Sequence, residues 1–251
     1  MIEVKDLHKS LGDEEVLQGI NLSIDRGEMF ALLGGSGAGK SVLIKNIVGL
    51  MKPDRGEVLI NNQNIHELRG EALSKLRSSI GMLFQGGALF DSMSVYENLA
   101  FPLREKTSLR EKEISQKITR QLERVELGGS EQKYPAELSG GMKKRVALAR
   151  CLILEPEIIF FDEPTTGLDP LISNAILRLI YNIHEELEIT AIIITHNLDK
   201  IFPIVQKAAL IHEGKILDCD TPEKFLQSDE PVIEDFVSEA TRGPLEAIEN
   251  A

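Results

Sequence analysis

The amino-acid sequence predicts an α/β fold: a mixed β-sheet flanked by helices, with an antiparallel β portion at the N-terminus and an α-helical portion inserted before the last strands. Three observations predict it. Continuous apolar runs at Met29 to Leu33, Ile158 to Phe161 and Ala191 to Thr195 have the length and character of strands covered on both faces. Apolar residues recur at helical spacing between such runs, as at Ile172, Ile176, Leu179, Ile183 and Leu187. From residue 86 to 154 the readable segments are helical and no sheet rhythm interrupts them.

Taken in order, residues 1 to 28 alternate short β segments with turns: Ile2 to Val4, a turn at Gly12-Asp13, Val16-Leu17, and Ile20 to Ile24 with period two. Arg26-Gly27-Glu28 turns into the first buried strand. Ser41 to Leu50 then suits a helix closed by Lys52-Pro53. Pro53 to Gly56 marks a turn, Glu57 to Ile60 a strand, and Asn61-Asn62 a tight reversal. Residues 67 to 78 read as helix and Ser79 to Phe84 as a strand that ends at Gln85. Ile114, Ile118, Leu122 and Val125 share one helical face of Arg110 to Leu127, which Gly128-Gly129 is expected to stop. Ser139 is placed to cap a further helix that Pro156 ends. After the strand at 158 to 161, the long helix and the strand at 191 to 195, Ala208 to Ile211 and Lys215 to Leu217 flank a turn at Glu213-Gly214 as a hairpin. The expected division is residues 1–85 with 155–220 as core, 86–154 as helical subdomain, and 221–251 as a C-terminal helix and acidic tail.

Composition narrows the function. With 251 residues, 42% hydrophobic and 27% charged, the chain can bury an ordinary globular core. No apolar run approaches the roughly 20 residues of a membrane-spanning helix. Met1 to Asp6 lacks the basic start and apolar core of a secretory signal, so a cytoplasmic protein is expected. The two cysteines, Cys151 and Cys219, lie beside apolar residues and read as buried packing in a reduced compartment. A net charge of -12 argues against general nucleic-acid binding.

The chemistry begins at Gly34-Gly35-Ser36-Gly37-Ala38-Gly39-Lys40-Ser41, which fits G-x-x-x-x-G-K-[ST] at every fixed position. A strand, a glycine-rich turn and a helix N-terminus make an anion cradle, because unpaired N–H groups and the helix dipole point at one place. Lys40 is expected to reach the β- and γ-phosphates of a nucleotide, Ser41 to ligate Mg²⁺, and Val42 to complete the loop. A second apolar strand ends in Asp162-Glu163: Asp162 is placed to hold Mg²⁺ through water and Glu163 to act on the attacking water.

Leu138-Ser139-Gly140-Gly141-Met142 closely resembles the signature motif of ATP-binding-cassette (ABC) ATPases, and other motifs then fall in that family's order. Gln85 matches the glutamine joining core and helical subdomain, Gly167-Leu168-Asp169 the D-loop, and His196 the switch histidine. The resemblance implies a P-loop NTPase fold with a RecA-like mixed sheet, a Mg-dependent ATPase, and catalytic roles for Glu163, His196, Lys40, Gln85 and Asp169, with Gln85 also a metal ligand. It implies two copies paired head to tail, the helix at Ser139 to Met142 of one capping the γ-phosphate held by the other. Two positions depart from the pattern. Met142 stands where the signature commonly has Gln, read either as packing or as a changed dimer contact. Leu11 stands where an aromatic often stacks on adenine, so base selectivity is expected to be modest.

The segments Gln85 to Val95 and Glu97 to Glu105, and Gly141 to Arg150 with its Met142, resemble the ATPases of mammalian-cell-entry (MCE) lipid transporters, including Mla phospholipid systems. Gly243-Pro244 is similar to the same group. The resemblance implies a membrane permease docked on residues 86–104 against Leu89, Phe90, Met93 and Phe101, with half of these residues equally readable as internal core. It also implies a peripheral location on the cytoplasmic face of an inner membrane, with membrane contact only through the permease. Two other readings stand beside it: an ABC importer ATPase for a small solute, and a soluble ABC regulatory protein that moves no substrate.

Overall fold

A computed structural model describes residues 1–241. In chain order the elements are β1 (Ile2–Leu11), β2 (Glu14–Ile24), β3 (Met29–Leu33), α1 (Lys40–Ile47), β4 (Arg55–Ile60), β5 (Gln63–Asn64), α2 (Gly70–Ser78), β6 (Ile80–Leu83), α3 (Val95–Lys106), α4 (Glu111–Arg124) and α5 (Gly140–Leu152). There follow β7 (Ile158–Asp162), α6 (Pro170–Leu187), β8 (Thr190–Thr195), α7 (Leu198–Ile201), β9 (Lys207–His212), β10 (Lys215–Asp220), α8 (Pro222–Phe225) and α9 (Pro231–Thr241). The chain forms two compact units, residues 1–70 with 192 onward, and residues 71–191.

In the first unit β1 and β2 form an antiparallel hairpin, extended by β4 and β5 into a sheet of order β2-β1-β4-β5. Alternation drives this sheet: Leu17, Ile20, Leu22 and Ile24 of β2 are buried while their neighbours lean toward solvent. The β4–β5 reversal uses Asn61 and Asn62, both at positive φ (50° and 62°), as a two-residue hairpin turn demands. A second sheet in this unit has β3 between β8 and β9, with β10 outside. There β3 runs parallel to β9 and β9 antiparallel to β10, so the sheet is mixed. All five residues of β3 are buried, as an interior strand requires.

The second unit packs α3, α4 and α5 around Leu99, Leu103, Ile114, Ile118, Leu122 and Val146. Beside them β6 and β7 pair in parallel, with Leu83 opposite Phe161. The segment 86–154 lies wholly within this unit.

Several boundaries differ from the sequence reading, each for a local reason. Helix α1 stops at Ile47 rather than Leu50: Gly49 turns left-handed (φ 72°), and Gly49 N–H and Leu50 N–H donate to Asn46 and Lys45 carbonyls at 3.1 and 2.8 Å. Helix α4 ends by the same 6→1 closure, but the left-handed residue of that closure is Glu126 (φ 58°); Gly129, also left-handed (φ 81°), comes three residues later. Leu127 N–H reaches the Leu122 carbonyl at 2.8 Å, and both leucines are buried. Arg55 and Gly56 belong to β4 rather than to the preceding turn, and α2 begins at Gly70, not at residue 67. After Thr221 there are two helices rather than one. Cys219 is exposed on β10, which overturns its reading as buried packing, whereas Cys151 is half-buried with its sulfur facing Gly81. Gly243-Pro244 and the acidic tail lie outside the described residues.

Candidate functional site

In the first unit, β3 delivers the chain directly into the loop from Gly34. A Cβ on Gly34 would collide with the Ile211 main-chain oxygen on β9, so glycine is required by the closeness of two backbones. Gly39 occupies the N-cap of α1 at φ 106°, and no side chain caps this helix. Its first N–H groups therefore face the loop without a capping side chain, and no acidic residue stands in the first turn to compete with an anion. Lys40 folds back over the loop: its Nζ donates to the carbonyls of Gly34 at 2.6 Å and Gly35 at 2.7 Å. This holds a positive charge against the loop backbone instead of free in solvent. Ser36 and Ser41 are exposed, while Ala38 and Val42 are half-buried. Leu11, at the end of β1, is 46% exposed, an apolar surface without an aromatic ring. His196 is exposed just beyond β8, where the Thr195 hydroxyl accepts from Asn197 N–H at 3.1 Å and Asn197 in turn caps α7.

In the second unit the parallel register does the positioning. Because Leu83 lies opposite Phe161, Gln85 and Glu163 each stand two residues beyond a paired position, at neighbouring strand ends. Glu163 adopts φ 45°, a left-handed conformation that costs energy for a side-chain-bearing residue, and such strain concentrates at functional positions. The Thr166 hydroxyl donates to Glu163 Oε2 at 3.0 Å and orients the carboxylate. Asp169 is the N-cap of α6, its Oδ1 accepting from Leu171 and Ile172 N–H groups at 3.0 Å each, so this candidate catalytic side chain also has a structural task.

Ser139 caps α5 as expected, accepting from Met142 N–H at 3.3 Å. Gly140 and Gly141 are the first residues of that helix, and α6 lies close behind them. A Cβ on Gly140 would come 3.3 Å from Leu168 Cδ2, and one on Gly141 only 2.7 Å from Ile172 Cγ2. The two glycines thus let the signature helix approach the segment around Asp169.

Two residues here carry roles that sequence reasoning missed. Thr166 is one. The other is Lys144, 7% exposed on α5, whose Nζ donates to the main-chain oxygen of Gln85. Burial lowers the pKa of its ammonium, while the negative charge of Asp162 and Glu163 opposes that shift. The signal was a lysine three residues after Gly141 and four before Leu148, on the buried stripe of the helix.

Beyond Gln85 the loop at 90–94 is tied to Asn98. Asn98 Nδ2 donates to the carbonyls of Phe90, Met93 and Ser94 at 3.0 to 3.1 Å, and its Oδ1 accepts from Phe90 N–H at 2.9 Å. The fixed loop presents Phe90 beside Phe101 of α3, 43% and 42% exposed, edge to face with centroids 5.5 Å apart, and the Arg150 guanidinium lies 5.6 Å from the Phe90 ring centre. Leu89 and Met93 are half-buried.

Among the described residues no group of three or more His, Cys, Asp or Glu could hold a metal. Mg²⁺ needs no such group, since it keeps waters and is held by one or two protein oxygen donors together with substrate phosphates. No helix among the described residues is long and apolar enough to cross a membrane.

Comparison with known proteins agrees with these features. The family model described as ABC transporter matches residues 17–166. The chain is 42% identical to the probable ribonucleotide transport ATP-binding protein mkl of Mycobacterium leprae, over 97% of this chain and 70% of that protein. It is 40% identical to the intermembrane phospholipid transport system ATP-binding protein MlaF of Haemophilus influenzae, over 98% of this chain and 93% of that one. A solved dimer of the ATP-binding cassette MJ0796, in a post-hydrolysis state with ADP and Pi, superimposes with a TM-score of 0.79 at 30% identity, covering 88% of this chain and 99% of its own. A family model over residues 17–166 and relatives matched over almost all of this chain show that it belongs to the ABC transporter family.

Proposed function

We propose that this chain is the ATP-hydrolysing subunit of a membrane complex that transports phospholipid, held on the cytoplasmic face of an inner membrane by its permease. The observation that carries the reading is 40% identity, nearly end to end in both chains, to a protein named for intermembrane phospholipid transport. Met142 and the residues after Gln85, on which the sequence resembles MCE-type ATPases, point the same way.

In this reading Gly34 to Val42 cradle the triphosphate of ATP, and Lys40 exchanges its two loop carbonyls for phosphate oxygens in charge-assisted hydrogen bonds. Ser41, Gln85 and Asp162 offer hydroxyl, amide and carboxylate oxygens to Mg²⁺, which when bound neutralises β- and γ-phosphate charge. Glu163, steadied by Thr166, orients the attacking water and accepts its proton. His196 takes the γ-phosphate side, and Asp169 orders the start of α6. A second copy supplies Ser139 to Met142 head to tail: the Ser139 oxygen accepts from Met142 N–H and keeps its own O–H to donate. Loss of the γ-phosphate then separates the two copies and drives the permease. Residues 86–154 form the helical subdomain that carries this motion, and the Phe90–Phe101 pair seats the permease.

The test is to purify the chain with its permease, identify bound lipid by mass spectrometry, and measure ATP turnover in phospholipid vesicles. Recovered phospholipid and vesicle-stimulated turnover support the reading. Stimulation by ribonucleotides alone would favour small-solute transport, the reading that the mycobacterial relative's name supports. Phe90→Asp should abolish association with the permease while leaving turnover of the isolated subunit; unchanged association removes the docking assignment.

A further inference from the structure

Lys144 has three properties that packing alone does not explain. It is buried to 7% exposure in a chain rich in surface charge, although taking an ammonium out of water costs several kcal/mol unless something compensates. It finds no ion-pairing contact among the described residues, since its hydrogen bond goes to a main-chain oxygen, that of Gln85. The negative field it feels comes from Asp162 and Glu163. A methionine or leucine would fill the same place on α5 without the desolvation cost. Retaining a charge there is costly unless the charge is used.

The surroundings indicate the use. Gln85 is exposed, lies beyond the last paired residue of β6 and is followed by Gly86 and Gly87, so no sheet hydrogen bond fixes its backbone. Lys144 supplies that fixation from α5, one turn after Ser139 to Met142. We infer that Lys144 is a positioning residue for ATP turnover: its ammonium ties the backbone at Gln85 to the signature helix, so that the Gln85 side chain and the N-terminus of α5 are placed together. This inference rests on the ATPase reading above and on Gln85 as an oxygen ligand of that site.

The test uses the full chain and the variants Lys144→Met, Lys144→Arg, Gln85→Ala and Lys144→Met with Gln85→Ala. Affinity for a fluorescent ATP analogue is measured in EDTA and again in excess Mg²⁺, alongside kcat, KM and melting temperature. Lys144→Met should keep its melting temperature and its affinity in EDTA. It should lose most of the Mg²⁺-dependent gain in affinity and about tenfold or more in kcat, the scale expected when a supporting group drifts by a fraction of an ångström. Lys144→Arg should recover most of both, and the double variant should be no worse than Gln85→Ala, because both changes remove one coupled function. A Lys144→Met protein with wild-type kcat and Mg²⁺ response overturns the inference, and so does additivity in the double variant. Should Lys144→Met not fold, Lys144→Gln and Lys144→Arg carry the comparison, the inference requiring Arg to exceed Gln. Absence of turnover in the wild-type complex would instead overturn the ATPase reading and this inference with it.

Discussion

Asp169 sits where a catalytic and a structural account of one carboxylate make different predictions. Its Oδ1 accepts from the N–H groups of both Leu171 and Ile172 at 3.0 Å, at the head of the 18-residue helix α6. Asp169→Ala leaves both donors without that partner and removes a negative charge from the positive end of the helix. Loss of a capping side chain costs about 0.5–2 kcal/mol, and the ionised acceptor with two donors places this case near about 2 kcal/mol. For a chain of this size each kcal/mol moves the melting temperature by about 2–4 °C, so a fall of about 4–8 °C is expected. Asp169→Asn keeps an acceptor oxygen at the same point and loses only the charge–dipole part, about 0.3–1 kcal/mol, hence about 1–4 °C. Thermal melts of the three proteins, with ATP turnover measured well below all three transitions, separate the roles. If Asp169→Ala melts within about 1 °C of wild type, the capping argument is refuted. If Asp169→Asn stays folded but loses turnover as fully as the alanine variant, the charge itself acts in the reaction.

Gly34→Ala should leave the fold in place and weaken ATP binding by about 10- to 100-fold, because the added Cβ meets the unyielding Ile211 main-chain oxygen and the loop must shift; equal affinity by titration calorimetry contradicts the loop geometry. Glu163→Gln should retain ATP affinity, accumulate an ATP-bound dimer on gel filtration and lose turnover by about 10²–10⁴-fold, since an amide cannot accept the proton; near-normal turnover moves the base to another residue, with His196 the first to test. His8 accounts for a pH dependence of stability. Its imidazole is held by Glu15 at 2.8 Å and Asp6 at 3.1 Å, which raise its pKa in the folded chain, Glu15 more strongly. A group with a raised folded pKa contributes fully below the unfolded value of about 6.5 and loses that contribution as pH rises through the folded value. Wild type should therefore melt above His8→Gln near pH 6 and lose that lead toward pH 9, and a pH-independent gap between the two would exclude the linkage.

What could be read from the sequence was what the chain encodes locally. Apart from the reason Gly34 must be glycine, the Ile211 main-chain oxygen against it, which is long-range and not readable, the phosphate loop is legible because its pattern is near-neighbour: the strand before, the glycines within, Lys40 and Ser41 at the helix start. Ser139 as a cap is legible for the same reason, a hydroxyl three residues before the N–H it accepts. Helix ends were less secure where two candidates competed. Gly128 and Gly129 read as the stop of α4, yet the closure falls at Glu126, where the Leu127 N–H bonds the Leu122 carbonyl and both leucines are buried, so position in the packing and not residue type decides the helix end. Cys219 illustrates a further limit. Its apolar neighbours suggested burial, but β10 is an edge strand and whether a residue there faces solvent depends on what covers the sheet.

Lys144 was illegible for a deeper reason. A lysine near a helix start is ordinarily solvated, and only tertiary packing of its helix, against neighbours that include β6 and α6, removes it from water. The clue lay in phase, not identity: Gly141, Lys144 and Leu148 fall on one stripe, and two of them are residues that belong inside. A charge in phase with a buried stripe has two outcomes. It can bend out to solvent, leaving its stem on the apolar surface, or it must meet a polar group in the interior. At 7% exposure Lys144 takes the second course, and the group it meets is the main-chain oxygen of Gln85, a residue the proposed reading places at Mg²⁺. The same reasoning applies to Glu163, whose left-handed φ no residue-type rule anticipates. The parallel register of β7 to β6 sets where the strand ends, and the Thr166 hydroxyl holds the carboxylate that follows it.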